Sequence, residues 1–362
     1  MSAQADVFEL HRSRAPLILP DDEHNRRLVE QVHPPAWVNP EPSGRYNLVV
    51  IGGGTAGLVS AAGAAGLGAK VALIEKHLMG GDCLNFGCVP SKALLSAARA
   101  AHSVRTAARF GVATPGDARV HFAEVMKRMR GLRANIAPND SAHRLAKLGV
   151  DVYLGEARFA GPDKVEVGPQ ILSFRRAVIA TGGRPAILPI RGLAEAGFLT
   201  NETIFSLTEL PRRLVVIGAG PIGCELAQAF RRFGSEVSIV ALDPRLLRRE
   251  DADAAALLAT QFEREGIRMF LGAKLQRVER RGSDKLVAFE RGDGTEEIAG
   301  DEILLAAGLR IGDLARTIHP YPTQAEAWKH LGDASRRARL TPGLRQLFRR
   351  WFSLHRGSGA RA

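Results

Sequence analysis

Tyr46-Asn47-Leu48-Val49-Val50-Ile51-Gly52-Gly53-Gly54-Thr55-Ala56-Gly57 is the stretch that sets the fold of this chain. A short apolar run, of the kind a buried parallel strand needs, stops at a glycine cluster, and small residues from Leu58 to Leu67 continue as a helical pattern. Gly52, Gly54 and Gly57 satisfy G-x-G-x-x-G, the spacing that gives a tight turn, close approach of a pyrophosphate and close helix–strand packing. Lys70 to Ile74 reads as a second strand and ends in Glu75, placed to accept hydrogen bonds from a ribose. Strand, glycines, helix, strand and acid in that order point to dinucleotide binding.

The same device recurs. Leu214 to Ile217 leads into Gly218, Gly220 and Gly223, then a helical pattern from Cys224 to Phe233 and a strand from Glu236 to Val240. These glycines stand 166 residues after those of the first motif. Each copy also closes alike, with Ala177 to Gly183 in the first and Ile303 to Gly308 in the second. The chain therefore reads as an internal repeat of a nucleotide-binding lobe, and each lobe is expected to bind one dinucleotide. The second copy has Ala241 where Glu75 stands in the first, so it lacks the carboxylate that selects an unphosphorylated ribose. Arg245, Arg248 and Arg249 follow, where a 2′-phosphate could be met, with Asp243 as another partner for a ribose hydroxyl; NADPH is favoured over NADH.

Two of the three cysteines fall in Gly80-Gly81-Asp82-Cys83-Leu84-Asn85-Phe86-Gly87-Cys88-Val89-Pro90-Ser91-Lys92, which runs into a helical pattern from Ala93. Both sulfurs are expected at or beside a helix N-terminus, where exposed N–H groups and the macrodipole favour a thiolate. Such a pair can close a small disulfide, attack another disulfide, or bind a soft metal. Cys224 carries no motif and reads as a small buried residue.

The 362 residues are 45% apolar and 24% charged, ordinary for a soluble protein, and their number predicts two or three domains. Three cysteines are too few for a secreted disulfide scaffold, no apolar run reaches membrane-spanning length, and no signal peptide is evident. A cytoplasmic location is expected. The net charge of +12 argues little for nucleic acid, because eight arginines and no acidic residue lie from Ser335 onward.

Residues 1–45 are polar and proline-rich, with a short helix near Asp21 to Val32, and read as an extension that packs on the surface or stays mobile, with too few apolar residues for a core of its own. Residues 96–148 read as helical with a loop near Thr114 to Arg119, and Lys127, Arg128, Arg130 and Arg133 as a solvated helix face. Val150 to Phe159, Lys164 to Val167 and Ile171 to Phe174 read as short strands with a turn at Gly155. A final helix, about Pro342 to Leu354, reads as basic and amphipathic, packing on the body in preference to a membrane.

Together these residues resemble the flavin disulfide reductases, the family of dihydrolipoamide dehydrogenase, glutathione reductase and mercuric reductase. The likeness runs from Tyr46 to Leu309 and resumes from Thr317 to Glu326, and its most specific element is Gly80 to Lys92, with Asp82 where the family has threonine. It implies an α/β fold of two nested Rossmann-like lobes, an FAD-binding domain over 46–185 and an NAD(P)-binding domain over 186–309. It further implies that a nicotinamide nucleotide on the second lobe reduces FAD on the first, which opens a Cys83–Cys88 disulfide. By analogy Cys88 is the flavin-facing thiol, Cys83 the interchange thiol, and Lys92, paired with Glu225, lies near the flavin. Gly155, Thr181 and Gly182 would touch FAD, and Gly308 the nicotinamide nucleotide.

After Arg310 the family pattern breaks. Residues 310–362 read as the remnant of a dimerisation domain, most of it missing together with the last part of the FAD site, so the homodimer of the family would lose most of its interface. Gly312-Asp313 lacks the apolar strand that precedes the family's FAD-binding Gly-Asp pair. In the family the tail of the partner subunit supplies acid–base chemistry, through a histidine five residues before a glutamate; here the glutamate is Glu326 and the earlier position is Tyr321, with His319 two residues before it. Neither a Cys-x-x-Cys module in the N-terminal extension nor a C-terminal cysteine pair is present, so no metal site is assigned. The expected function is an FAD-dependent oxidoreductase acting on a disulfide, metal or small acceptor; the alternative is a non-catalytic remnant that binds FAD weakly.

Overall fold

In the computed structural model, which describes residues 16–113 and 119–306 together with Gln346, Arg350 and Phe352, the repeat is carried into the backbone. Seven strands come from the first copy: β1 (Leu48–Ile51), β2 (Val71–Glu75), β3 (Val150–Leu154), β4 (Ala157–Gly161), β5 (Lys164–Val167), β6 (Gln170–Ser173) and β7 (Ala177–Ile179). Four form a parallel sheet in the order β3-β2-β1-β7, and β4-β5-β6 form an antiparallel sheet. The second copy supplies β8 (Arg213–Ile217), β9 (Glu236–Ala241), β10 (Arg268–Leu271), β11 (Lys274–Arg281), β12 (Asp284–Arg291), β13 (Gly294–Gly300) and β14 (Glu302–Leu305). Their sheets, β10-β9-β8-β14 and β11-β12-β13, repeat the arrangement. Register follows as well: Leu48 faces Val71 and Val49 faces Ala177, while Leu214 faces Val237 and Val215 faces Ile303.

The described chain forms two compact units, one of residues 16–88 and 131–182, the other of 89–113, 119–130 and 183–306. Each has its own core, as two parallel sheets each covered by helices require. In the first, Val49, Ile74 and Tyr153 pack with Val165, Leu172 and Phe174. In the second, Val215, Ile217 and Val240 pack with Val287, Phe289 and Ile303.

One sequence expectation is narrowed here and another overturned. The N-terminal extension is part of the first unit: its helix Glu23–Val32 buries Leu28 and Val32 completely. Beyond it Trp37 Nε1 donates to Val152 O at 3.1 Å, and Asn39 bonds both the N–H and the carbonyl of Leu154, so the proline-rich segment is tied along β3. Asn25, Leu28 and Val32 give the helix one buried stripe, apolar but for the hydrogen-bonded asparagine, and that suffices for docking. The overturned expectation concerns helix Phe122–Ile136. Met126, Met129, Arg130 and Arg133 are all buried, and only Arg128 and its outer neighbours fit the solvated face expected of the cluster. The spacing 126, 129, 130, 133 is itself a helical stripe; reading charge before period hid it.

Candidate active site

The two glycine loops have nearly superposable geometry. Gly54 starts helix Thr55–Gly66 at φ −78°, ψ −171°, and Gly220 starts helix Pro221–Phe233 at φ −77°, ψ −179°, neither with a side-chain cap. The first N–H groups of both helices are thus left to an outside acceptor, at the positive end of the dipole. Close packing explains the third glycine of each motif: a Cβ on Gly57 would lie 1.8 Å from Gly52 O, and one on Gly223 would lie 2.2 Å from Gly218 O. A Cβ on Gly220 would instead meet nothing within 4 Å, so the space over that helix end is open. The residues fit a pyrophosphate at each loop.

The other expected contacts collect at the carboxyl ends of the parallel strands, where ligands of open α/β sheets sit. Around the first sheet these are Gly52 after β1, Glu75 closing β2, Gly155 after β3, and Thr181 and Gly182 beyond β7. Glu75 is buried, and its carboxylate accepts from Gly53 N–H at 2.5 Å and His77 N–H at 2.7 Å, which fixes it beside the glycine loop. Gly155 N–H donates to Glu75 O at 2.9 Å, so the β2 and β3 ends are held together.

In the second unit Ala241 is buried at the end of β9, and the loop after it is closely tied. Leu247 adopts φ +47° and donates its N–H to Ala219 O, inside the glycine motif. Arg245 donates to the carbonyls of Leu247, Arg248 and Glu250, so it braces this loop and does not reach outward as the sequence suggested. Arg248 pairs with Asp243 at 3.1 Å, with the arginine exposed and the aspartate half-buried.

Cys83 lies in the short helix Gly81–Asn85, and Cys88 begins the long helix Cys88–Thr106. Both are free thiols, each partly buried. This turn is joined to the first glycine loop: Gly80 N–H donates to Gly53 O at 2.8 Å, and a Cβ on Gly81 would approach Gly54 Cα to 2.7 Å. The hydrogen bond to Cys88 pushes the Cys83 thiol up, helped by burial and by the charges of Cys88 and Asp140 against a smaller opposing bond with Thr55. The thiolate expected at both positions is therefore disfavoured at Cys83, because a five-residue helix has little dipole to offset burial beside a second sulfur. Cys224 is buried as expected, and its thiol is pushed up to about 12 by burial and the neighbouring Glu225.

One turn after Cys88 on the same helix, Lys92 Nζ lies 2.7 Å from each carboxylate oxygen of Glu225, two residues past Gly223. Gly308, Tyr321 and Glu326, with Gly312-Asp313 and His319, lie outside the described residues, as does most of the C-terminal helix. Among the described residues no group of three metal-ligating side chains occurs, and no helix is long and apolar enough to cross a membrane.

The pyridine nucleotide-disulphide oxidoreductase family matches residues 46–319, both glycine loops and the cysteine turn included. The chain belongs to this family. Dihydrolipoyl dehydrogenase of Acholeplasma laidlawii is 34% identical over 272 residues, covering 74% of this chain and 80% of that protein. Mercuric reductase of Lysinibacillus sphaericus is 35% identical over 263 residues, 73% of this chain and 48% of the reductase. Among solved structures, the HOCl-induced flavoprotein disulfide reductase RclA from Escherichia coli superposes with a TM-score of 0.63 at 30% identity, covering 73% of this chain and 57% of RclA. This pyridine nucleotide-disulphide oxidoreductase thus spans about half the length of the mercuric reductase and RclA it resembles. Its family is flavin-dependent and works with pyridine nucleotides, which agrees with the two pyrophosphate-ready helix ends.

Proposed function

We propose that the chain is an FAD-dependent oxidoreductase that takes electrons from NADPH and passes them through the Cys83–Cys88 pair to a disulfide, metal or small acceptor. The observation carrying this reading is the direct join between the cysteine turn and the first glycine loop, Gly80 N–H to Gly53 O. In it, residues 46–185 hold FAD through Gly52, Gly54, Gly57, Glu75, Gly155, Thr181 and Gly182. Residues 186–309 hold the nicotinamide nucleotide through Gly218, Gly220, Gly223, the Ala241 end of β9 and Gly308. FAD, when bound, supplies the relay between a two-electron hydride donor and a disulfide.

The chain's own groups set the direction of proton and charge. The hydrogen bond with Cys88 and burial push the Cys83 thiol up. By analogy with the family, Cys88 is the flavin-facing thiol and Cys83 the one that meets substrate. Lys92, oriented by both oxygens of Glu225, supplies a fixed cation for negative charge that develops in the site. Tyr321, as a proton donor, and Glu326 are proposed to complete it. Arg248 supports the 2′-phosphate of NADPH, since Ala241 offers a ribose no carboxylate.

A second reading, a non-catalytic remnant with weak FAD binding, has one observation in its favour. Among the described residues β7 and β14 are both edge strands, yet Ile179 of β7 is 68% exposed whereas its counterpart Leu305 of β14 is buried. Flavin content separates the two. Protein with about one flavin per chain, and a long-wavelength charge-transfer band on partial reduction that Cys88→Ser abolishes, is the expected result. Colourless protein that takes up no added FAD would establish the remnant.

A further inference from the structure

We propose that Asn25 and Arg133 are positioning residues for the Cys83–Cys88 pair, joining the N-terminal helix to the cysteine turn through a buried relay that holds the two sulfurs together. The inference rests on the redox-pair reading above. Arg133 is 1% exposed; its Nη1 donates to Asn85 O at 2.7 Å and its Nη2 to Asn25 Oδ1 at 2.6 Å. Asn85 lies between the two cysteines, so the guanidinium grips the backbone of the turn whose ends are the reacting atoms.

Each member of the relay is itself fixed. Asn25 Nδ2 donates to Pro20 O at 2.8 Å, and its N–H to the helix cap Asp22 at 2.9 Å. Asn85 Nδ2 donates to Met79 O at 3.1 Å and Gly81 O at 2.9 Å, closing the turn on itself. At the other end of the N-terminal helix, Met79 N–H donates to Val32 O at 3.0 Å. The cysteine turn is thus tied to both ends of one helix.

Burying a guanidinium costs several kcal/mol unless its hydrogen bonds are well made, and a leucine would fill such a space without that cost. Here two short charge-assisted bonds are spent on the cysteine turn and the helix behind it. Their consequence is chemical. The equilibrium between dithiol and disulfide depends on how often one sulfur meets the other, and a clamped turn raises that frequency. In the reduced structure Cys83 is already hydrogen-bonded to Cys88.

The test is thiol–disulfide equilibrium of the full chain in glutathione. Cys83 and Cys88 together give up two electrons and two protons as their S–S bond forms; glutathione disulfide accepts both as its own S–S bond breaks, leaving two glutathione thiols. Alkylation trapping and mass spectrometry of the peptide holding both cysteines read the equilibrium constant. Asn25→Ala and Arg133→Lys, which lose one acceptor and the two-pronged fork, are expected to lower disulfide formation about tenfold, equivalent to about 30 mV. Asn25→Asp keeps an acceptor for Arg133 but gives up the bond to Pro20 O, and is expected to lose no more than about threefold, clearly less than Asn25→Ala. An unchanged constant in Asn25→Ala, with or without a lower Tm, would reduce the relay to packing and overturn the proposal; that variant carries the test if Arg133→Lys does not fold. A parent chain that forms no Cys83–Cys88 disulfide at any glutathione ratio would overturn the redox-pair reading itself.

Discussion

Lys92 and Glu225 are joined symmetrically, Nζ standing 2.7 Å from both carboxylate oxygens. They are 133 residues apart in sequence, and each anchors to a motif: Lys92 follows the cysteine turn by one helical turn, and Glu225 follows the second glycine loop by two residues. Their side chains are 24% and 31% exposed, shielded enough that the bond exceeds an ordinary surface pair. A double-mutant cycle of Lys92→Met and Glu225→Gln, followed by urea denaturation, is expected to give a coupling of about 1–2 kcal/mol, against about 0.5 kcal/mol for an exposed pair. A coupling near zero would leave Lys92 unoriented.

Neighbouring glycines of the second loop separate folding from binding. Alanine at Gly223 places its Cβ against Gly218 O, a backbone atom that cannot yield, and should cost about 3 kcal/mol and lower the Tm. Alanine at Gly220 meets nothing within 4 Å, so Tm should hold. Nucleotide fluorescence titration should nonetheless show NADPH affinity down about tenfold or more, because the methyl enters the space a pyrophosphate needs.

Arg248 and Arg245 should behave differently although both follow β9. Arg248→Ala is expected to weaken NADPH about tenfold and leave NADH within about twofold, the loss of one charge-assisted phosphate contact. Arg245→Ala frees the loop that pins Leu247 to Ala219, and should weaken both nucleotides together. Equal losses of the two nucleotides in Arg248→Ala would remove it from the 2′-phosphate site.

Cys224 predicts an alkaline limit to stability. The unfolded thiol ionises near pH 8.5, as free cysteines do, and the folded one at about 12. Between these values the unfolded chain releases a proton that the folded chain keeps, so this contribution is whole below about pH 8.5 and falls away as pH rises toward 12. Denaturation midpoints of Cys224→Ala should therefore decline less steeply than those of the parent over that interval. Parallel curves would show that the thiol titrates alike in both states.

Much of the fold was legible in the sequence because its signals are local. Apolar runs, glycine spacing and strand-terminal positions from Leu48 and again from Leu214 specify strand, turn and helix within about thirty residues each, and the 166-residue repeat carried the sheet order with it. The family followed from the same residues, since the cysteine turn and the paired loops are short-range patterns. What only the tertiary structure decided are the partners of charged side chains. Arg133 looked like one more cation on a polar helix and is buried against Asn25 and Asn85; Arg245 looked like a phosphate ligand and braces its own loop. Charge fixes what a side chain can do, but whether it meets solvent, ligand or backbone depends on segments brought together from far along the chain. The N-terminal helix shows the same division: two apolar residues four apart did not announce a core, and docking beside the cysteine turn made them one.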